Sequence, residues 1–163
     1  LAGTTHPLLG SATCNVGVIH GGVQVNFVPD ECVIEVDRRL LPGETSTAVL
    51  AHYRRLLDDL QARHAGLRAE MEPPLLVDEA LETPETAAVA RIASAVLAAQ
   101  GRDGRLCGVP YGSDASKLSR QGVPSIVFGP GSIDHAHAAV EYVELAEVEA
   151  AVAFYRDFIL RFP

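Results

Sequence analysis

Lysine is almost missing from this chain. Lys117 is the only one, and the remaining positive charge is arginine. Acidic residues outnumber basic ones 21 to 13, for a formal net charge of −8. That shortage of positive charge argues against nucleic acid or an anionic membrane surface as a partner. No run approaches the ~18 continuous apolar residues of a membrane-spanning helix. No basic-then-apolar segment opens the chain. Cysteine is scarce: Cys14, Cys32 and Cys107 are widely spaced and sit in apolar contexts. An odd count argues against a full disulfide framework, so they read as buried free thiols of a reduced compartment. This sets a cytoplasmic expectation. Several chemical motifs are missing too. Without Gly-x-Ser-x-Gly or Ser-x-x-Lys, serine hydrolysis is disfavoured, and neither Cys-x-x-Cys nor His-Glu-x-x-His is present. Methionine occurs once, as Met71, and the chain opens on Leu1, so the expectation is a chain cut at its start.

What is present suits a packed α-and-β protein, at 48% hydrophobic residues over 163 positions. Leu1–Gly10 is turn-rich and reads as a connection. Ser11–His20 carries Cys14, Val16 and Val18 at period two, as a strand should. A Gly21-Gly22 turn leads into Val23–Val28, where Val23, Val25 and Phe27 alternate with Gln24 and Asn26. Cys32–Leu40 is predicted as the next strand. A helix follows from about Thr45 to Ala65, with Val49, Tyr53, Leu56, Leu57 and Leu60 as its stripe. Leu67–Glu72 is predicted as a further short strand, and Pro73-Pro74 marks the best boundary.

Beyond it, Thr83, Pro84 and Glu85 spell a helix start, and Gly101 a stop after Gln100. Val89, Ile92, Ala93, Val96 and Leu97 form its predicted buried face. Arg105–Val109 and the apolar Pro124–Phe128 read as strands, the second of the doubly covered kind. Ser113–Arg120 reads as a short helix, and Leu145–Phe162 as a closing one with Val148, Val152, Tyr155 and Ile159 inward.

The chemistry-bearing residues gather between Val109 and Val143. His137 follows a Gly-Pro-Gly loop at the end of the Pro124–Phe128 segment, where ligands of α/β sheets bind. A neutral imidazole there can ligate a metal, with Asp134 or Glu141 to orient it. His135 is two residues away, but a lone His-x-His does not make a zinc site, which takes three or four ligands. Gly112-Ser113-Asp114 opens a helix, so its N–H groups favour an anion or carbonyl oxygen; the plainer reading is a helix cap. Arg39, beside Glu35 and Asp37, is either a salt-bridged sheet residue or a clamp for a substrate carboxylate.

Taken together, VNFVPDECVIEVDRRLLPGE, PYGSDASKL, VPSIVFGPG and AHAAVEYVEL resemble the dinuclear zinc aminoacylase and peptidase family of acetylornithine deacetylase, succinyl-diaminopimelate desuccinylase and carboxypeptidase G. The resemblance implies an incomplete ferredoxin-like α+β lid joined to the carboxyl-terminal part of an α/β zinc-hydrolase domain. Residues 1–76 would be the later part of the lid, or dimerisation, domain, and residues 77–163 the catalytic part. It implies hydrolysis of the amide bond of an N-acyl amino acid or small peptide by the whole enzyme, with two zinc ions and a homodimer. His137 would be a zinc ligand. Asn26 and Arg39 would hold substrate from the lid, across the dimer, and Gly112 and Ser113 would contact its carboxylate or carbonyl. The family's His-x-Asp motif, its bridging Asp and its Glu pair are not in this chain, nor is the lid histidine. Ser116 falls where several members have Arg, and Val140 where an Asp is often seen, while Glu141 is kept. The expectation is a chain inactive by itself. The alternative is a dimerising or binding module without chemistry, using the lid sheet edge and the helix around Tyr53.

Overall fold

The computed structural model describes residues 5–163. Two compact units emerge, one of Leu1–Ala80 with Gly108–Gly112, the other of Leu81–Cys107 with Ser113–Pro163.

The first unit is an α+β arrangement built on one hairpin. Strand β3 (Thr13–Gly21) pairs antiparallel with β4 (Cys32–Arg39), from Thr13↔Arg39 at one end to Gly21↔Cys32 at the other. A register shift falls between Val16 and Val18, around Gly17, as a β-bulge produces. Two short strands, β1 (Thr5–His6) and β2 (Gly10–Ser11), form a separate antiparallel pair. Helix α1 (Ser46–Arg63) begins where the sequence placed it: Thr45 is the N-cap, and its hydroxyl accepts from the Ala48 N–H at 3.3 Å. Glu79 strengthens that start, its carboxylate accepting from the N–H and hydroxyl of Ser46, the latter at 2.6 Å. A carboxylate suits the positive end of a helix dipole. Gly108 brings the chain back to this unit. A Cβ there would stand 2.7 Å from Leu9 Cδ2 and 2.9 Å from the Leu8 backbone oxygen.

Leu41 is the one buried hydrophobic residue described in this unit. A polar clamp encloses it. Glu44 accepts from the Leu41 N–H at 2.8 Å and from the Arg38 guanidinium at 2.5 Å, and Arg38 also donates to the Arg39 carbonyl. Burial pushes the Glu44 carboxyl up, but these donors outweigh it and hold the group below its ordinary range.

The second unit is helical around one core. Helices α2 (Ala88–Ala99) and α4 (Leu145–Arg161) pack together, and α3 (Ala115–Arg120) and a 3-10 turn (Ile133–His135) lie between them in sequence. Ala93, Val96 and Phe154 are the buried centre, with Ile92, Leu97, Ile126, Phe128 and Phe158 packed against it. The Phe128 and Phe154 rings stack at 3.8 Å between centroids. The small residues Ala90 and Ala93 on α2 leave room for this ring cluster.

Several expectations fail, for identifiable reasons. Val23–Val28 is not a strand. It belongs to the loop joining β3 to β4, where the Phe27 N–H turns back to the Gln24 carbonyl at 3.0 Å. Val25 there is fully exposed. Leu67–Glu72, Arg105–Val109 and Pro124–Phe128 also form no ladder among the described residues. Alternation or an apolar run describes faces, whereas a strand needs a neighbour to bond with. The ferredoxin-like sheet therefore reduces to a hairpin and a helix. Thr83 does not cap α2, which starts at Ala88; its hydroxyl donates to the Ser125 carbonyl instead. On α4 the buried positions are Ala151 and Phe154, while Val152, Tyr155 and Ile159 are exposed. The predicted stripe favoured β-branched residues, but the aromatic cluster decides the face. The three cysteines are free, as expected, but exposed rather than buried.

Two outcomes follow. Truncating Phe154 to Ala removes a ring from the centre of the second unit and costs about 3–5 kcal/mol, measurable by denaturant unfolding. Glu44→Gln tests the clamp. A carboxyl held low when folded stabilises above its unfolded pKa and loses that contribution as pH falls through its folded value. The variant is thus less stable than the parent at pH 7, by about 1–2 kcal/mol. The gap closes when unfolding is measured well below the ordinary glutamate pKa.

Candidate functional site

Helix α4 carries the scaffold of the candidate site. Its Tyr155 hydroxyl donates to the Phe128 carbonyl at 2.9 Å, and the two rings meet edge to face at 5.7 Å. The Gly129-Pro130-Gly131 loop leaves from this anchored point. Gly131 takes φ 89°, and its N–H donates to the Glu147 carboxylate at 2.7 Å. Ser132 then caps the 3-10 turn, its hydroxyl accepting from the Asp134 N–H at 3.2 Å. His135 within that turn packs against Tyr142, ring centroids 4.4 Å apart. His137 follows at φ 60°, the one non-glycine residue with positive φ described. That conformation costs a side-chain-bearing residue roughly 1–2 kcal/mol, and such costs cluster at functional positions.

The two histidines thus separate. His135 is half-buried and engaged with Tyr142, whereas His137 is exposed. A cavity of about 370 Å³ lies behind the loop, lined by Leu97, Phe128, Gly131, Glu147 and Phe154. His137 is not in its wall.

The other predicted site residues are found as follows. Asp114 is the N-cap of α3 but its side chain makes no capping hydrogen bond; the Ser113 hydroxyl just ahead of it accepts from the Ala115 N–H at 3.2 Å. Asp114 is tied to Lys117 at 2.7 Å, and that contact holds its carboxyl below the ordinary range. Ser116 is buried and donates to the Ser113 carbonyl. Gly112 has open space around it. Arg39 pairs with Asp37 at 2.8 Å, and its side chain is 54% exposed. Its neighbour Arg38, which the sequence did not single out, is the enclosed one at 8%. Asn26 is exposed in the β3–β4 loop. Arg39 sits at the open end of the hairpin and Asn26 beyond the closed end, some ~25 Å of strand apart at roughly 3.3 Å per residue. The structure therefore does not bring Asn26 and Arg39 together within one protomer. Asn26, Arg39 and Gly112 belong to the first unit, Ser113 and His137 to the second.

Among the described residues, no three His, Cys, Asp or Glu side chains come together as a metal site would require. The exposed His137 imidazole suits one ligand position and no more.

Residues 5–65 match the family described as the peptidase dimerisation domain. Acetylornithine deacetylase of Myxococcus xanthus is 31% identical over 144 residues, 86% of this chain and 36% of that protein. A protein described as a probable carboxypeptidase of Aspergillus flavus is 30% identical over 166 residues, covering 93% of this chain and 34% of its own length. These matches support the M20 peptidase family as the one this chain resembles. The chain spans about a third of the length of these relatives. The fold is similar to that of aminopeptidase PepT from Bacillus cereus, which superposes with a TM-score of 0.71 over 91% of this chain and 39% of PepT, at 22% identity. The relatives are described as hydrolases: a deacetylase, a carboxypeptidase and an aminopeptidase. No described helix is long and apolar enough to cross a membrane.

The residues that sequence reasoning missed are Glu147 and Tyr142, the two that hold the loop. Glu147 had a signal, a carboxylate in the first turn of a helix. Tyr142 had none, since a ring contact with His135 leaves no periodic trace.

The left-handed backbone at His137 makes a direct prediction. His137→Gly relieves the conformation, so thermal unfolding should show a protein as stable as the parent, or up to ~1 kcal/mol more stable.

Proposed function

We propose that this chain supplies part of a zinc-dependent hydrolase that cleaves the amide bond of an N-acyl amino acid or small peptide. The observation carrying this reading is the exposed His137, held in a strained conformation at the end of a built loop, in a chain that resembles the M20 family. In it, residues 1–76 act as the later part of a ferredoxin-like lid and dimerisation domain, and residues 77–163 as the carboxyl-terminal part of a catalytic α/β domain.

His137 serves as one zinc ligand, offering a neutral imidazole. The metals, when bound, activate a water and polarise the scissile carbonyl. This chain's residues bind and orient. The exposed Arg39 guanidinium can grip a substrate carboxylate once it exchanges Asp37 for it. Asn26 contributes an amide. Because Arg39 and Asn26 lie toward opposite ends of the hairpin, their joint use calls for different protomers of a homodimer. Gly112 leaves its backbone open to substrate, and Ser113 holds the start of α3 beside it. The surroundings are those of a cytoplasmic enzyme.

A second reading has its own support. The match to a dimerisation domain and the exposed hairpin suit a module that associates without chemistry.

The isolated chain and variants of the whole enzyme test these readings. The purified 163-residue chain with added zinc should hydrolyse neither N-acetylated amino acids nor dipeptides, because its described residues gather no metal cluster. In the whole enzyme that contains it, His137→Ala should lower kcat/KM by at least a hundredfold. Arg39→Ala should raise KM mainly, by tenfold or more. An unchanged enzyme after His137→Ala would leave the associating module as the better account.

A further inference from the structure

The loop that leads to His137 is fastened by a residue that has left its usual post. Glu147 is the third residue of α4, after the N-cap Glu144. A glutamate at that position commonly turns back to the N–H of the cap residue. Here its carboxylate accepts instead from the Gly131 N–H at 2.7 Å, sixteen residues upstream. The Glu144 side chain makes no capping hydrogen bond either. Helix α4 thus begins without side-chain capping, and the carboxylate at its positive end is committed to the loop.

Gly131 is confined from the other side as well. Its φ is 89°, and a Cβ there would stand 3.3 Å from Val143 Cγ2. Between Gly131 and His137 little slack remains. The His135 N–H donates to the Ser132 carbonyl and the Ala136 N–H to the Ile133 carbonyl, both at 3.1 Å. Setting the backbone at Gly131 therefore sets the direction in which the chain reaches His137. The bond is charge-assisted and short, the strong kind for fixing one backbone group.

We propose that Glu147 is the positioning residue for His137: through Gly131 it holds the loop in the one shape that presents the imidazole outward from a left-handed backbone. The proposal rests on the reading of His137 as a metal ligand. It adds a residue that touches neither metal nor substrate.

The test uses the isotopically labelled 163-residue chain and the variants Glu147→Gln, Glu147→Ala and His137→Ala, followed by NMR. In the parent, the Gly131 amide should resonate downfield and exchange slowly with solvent. Glu147→Ala should raise its exchange rate at least tenfold and move the His137 ring signals, with the amides of α2 unchanged. Glu147→Gln keeps the shape and an acceptor oxygen, so it should fold as the parent does and raise exchange by a few-fold only. Zinc ion alone, titrated to millimolar levels, should shift the His137 ring of the parent, severalfold more weakly in Glu147→Ala, and not at all in His137→Ala. Unchanged Gly131 exchange and unchanged His137 signals in both Glu147 variants would overturn the positioning role. If the variants loosen the loop but zinc never perturbs His137 in the parent, the ligand reading fails instead.

Discussion

The grip of α4 on the segment from Phe128 to Gly131 is the constraint on which the second unit depends. Phe154 occupies the centre of that grip. Its ring stacks on Phe128 on one side and lies 5.7 Å from Phe158 along the helix. The alanines of α2 supply the facing surface. The next residue, Tyr155, fixes the Phe128 carbonyl, and at the helix start Glu147 fixes Gly131. The same helix that closes the core therefore sets the geometry of the loop. An apolar stack determines where the helix lies, and two polar contacts translate that position into the path of the chain toward His137. Core and site are two sides of one element, so a packing change at Phe154 is felt along the loop.

The first unit is held by different means. Its hairpin shows both faces to solvent, and α1 buries no residue. Polar contacts do the joining. Glu44 binds Arg38 and the Leu41 N–H, and Glu79 binds the start of α1. Tyr53 reaches from α1 to Cys14 on β3 at 3.2 Å; partial burial, and then that thiol, push its hydroxyl pKa up. Contacts of this kind specify geometry well but add modest stability each.

Much of this was legible in the sequence where local chemistry decides. The start of α1 was legible to within a residue of Thr45, because a hydroxyl at an N-cap satisfies a backbone donor whatever lies elsewhere. The buried face of α2 was legible because Ala93 and Val96 sit on one stripe. Pairing was not legible. Val23–Val28 alternates as a strand does, yet the register of β3 and β4 leaves it as their loop. The inward face of α4 was misread because Val152 and Ile159 looked more core-like than Ala151, and only the position of Phe128 makes Phe154 the centre. The Gly-Pro-Gly signal marked the loop that Glu147 holds at Gly131. The resemblance already favoured His137 over His135; the structure adds the Tyr142 contact and a backbone angle, neither of which a sequence displays. The resemblance to the M20 family carried the remainder, and the match of residues 5–65 to the dimerisation domain bears out that recognition.

Leu41 as the lone buried hydrophobic residue among those described in the first unit has a thermodynamic consequence. A hairpin and one helix that bury so little by themselves cannot draw most of their folding free energy from an interior. Whatever covers the exposed valines and isoleucines of β3 and β4 then contributes to folding and to association at once. Were a second copy to cover them, mass action would link the two processes and make the midpoint of unfolding for this unit a function of protein concentration. The unit would then be less a finished body than one reactant in its own folding equilibrium.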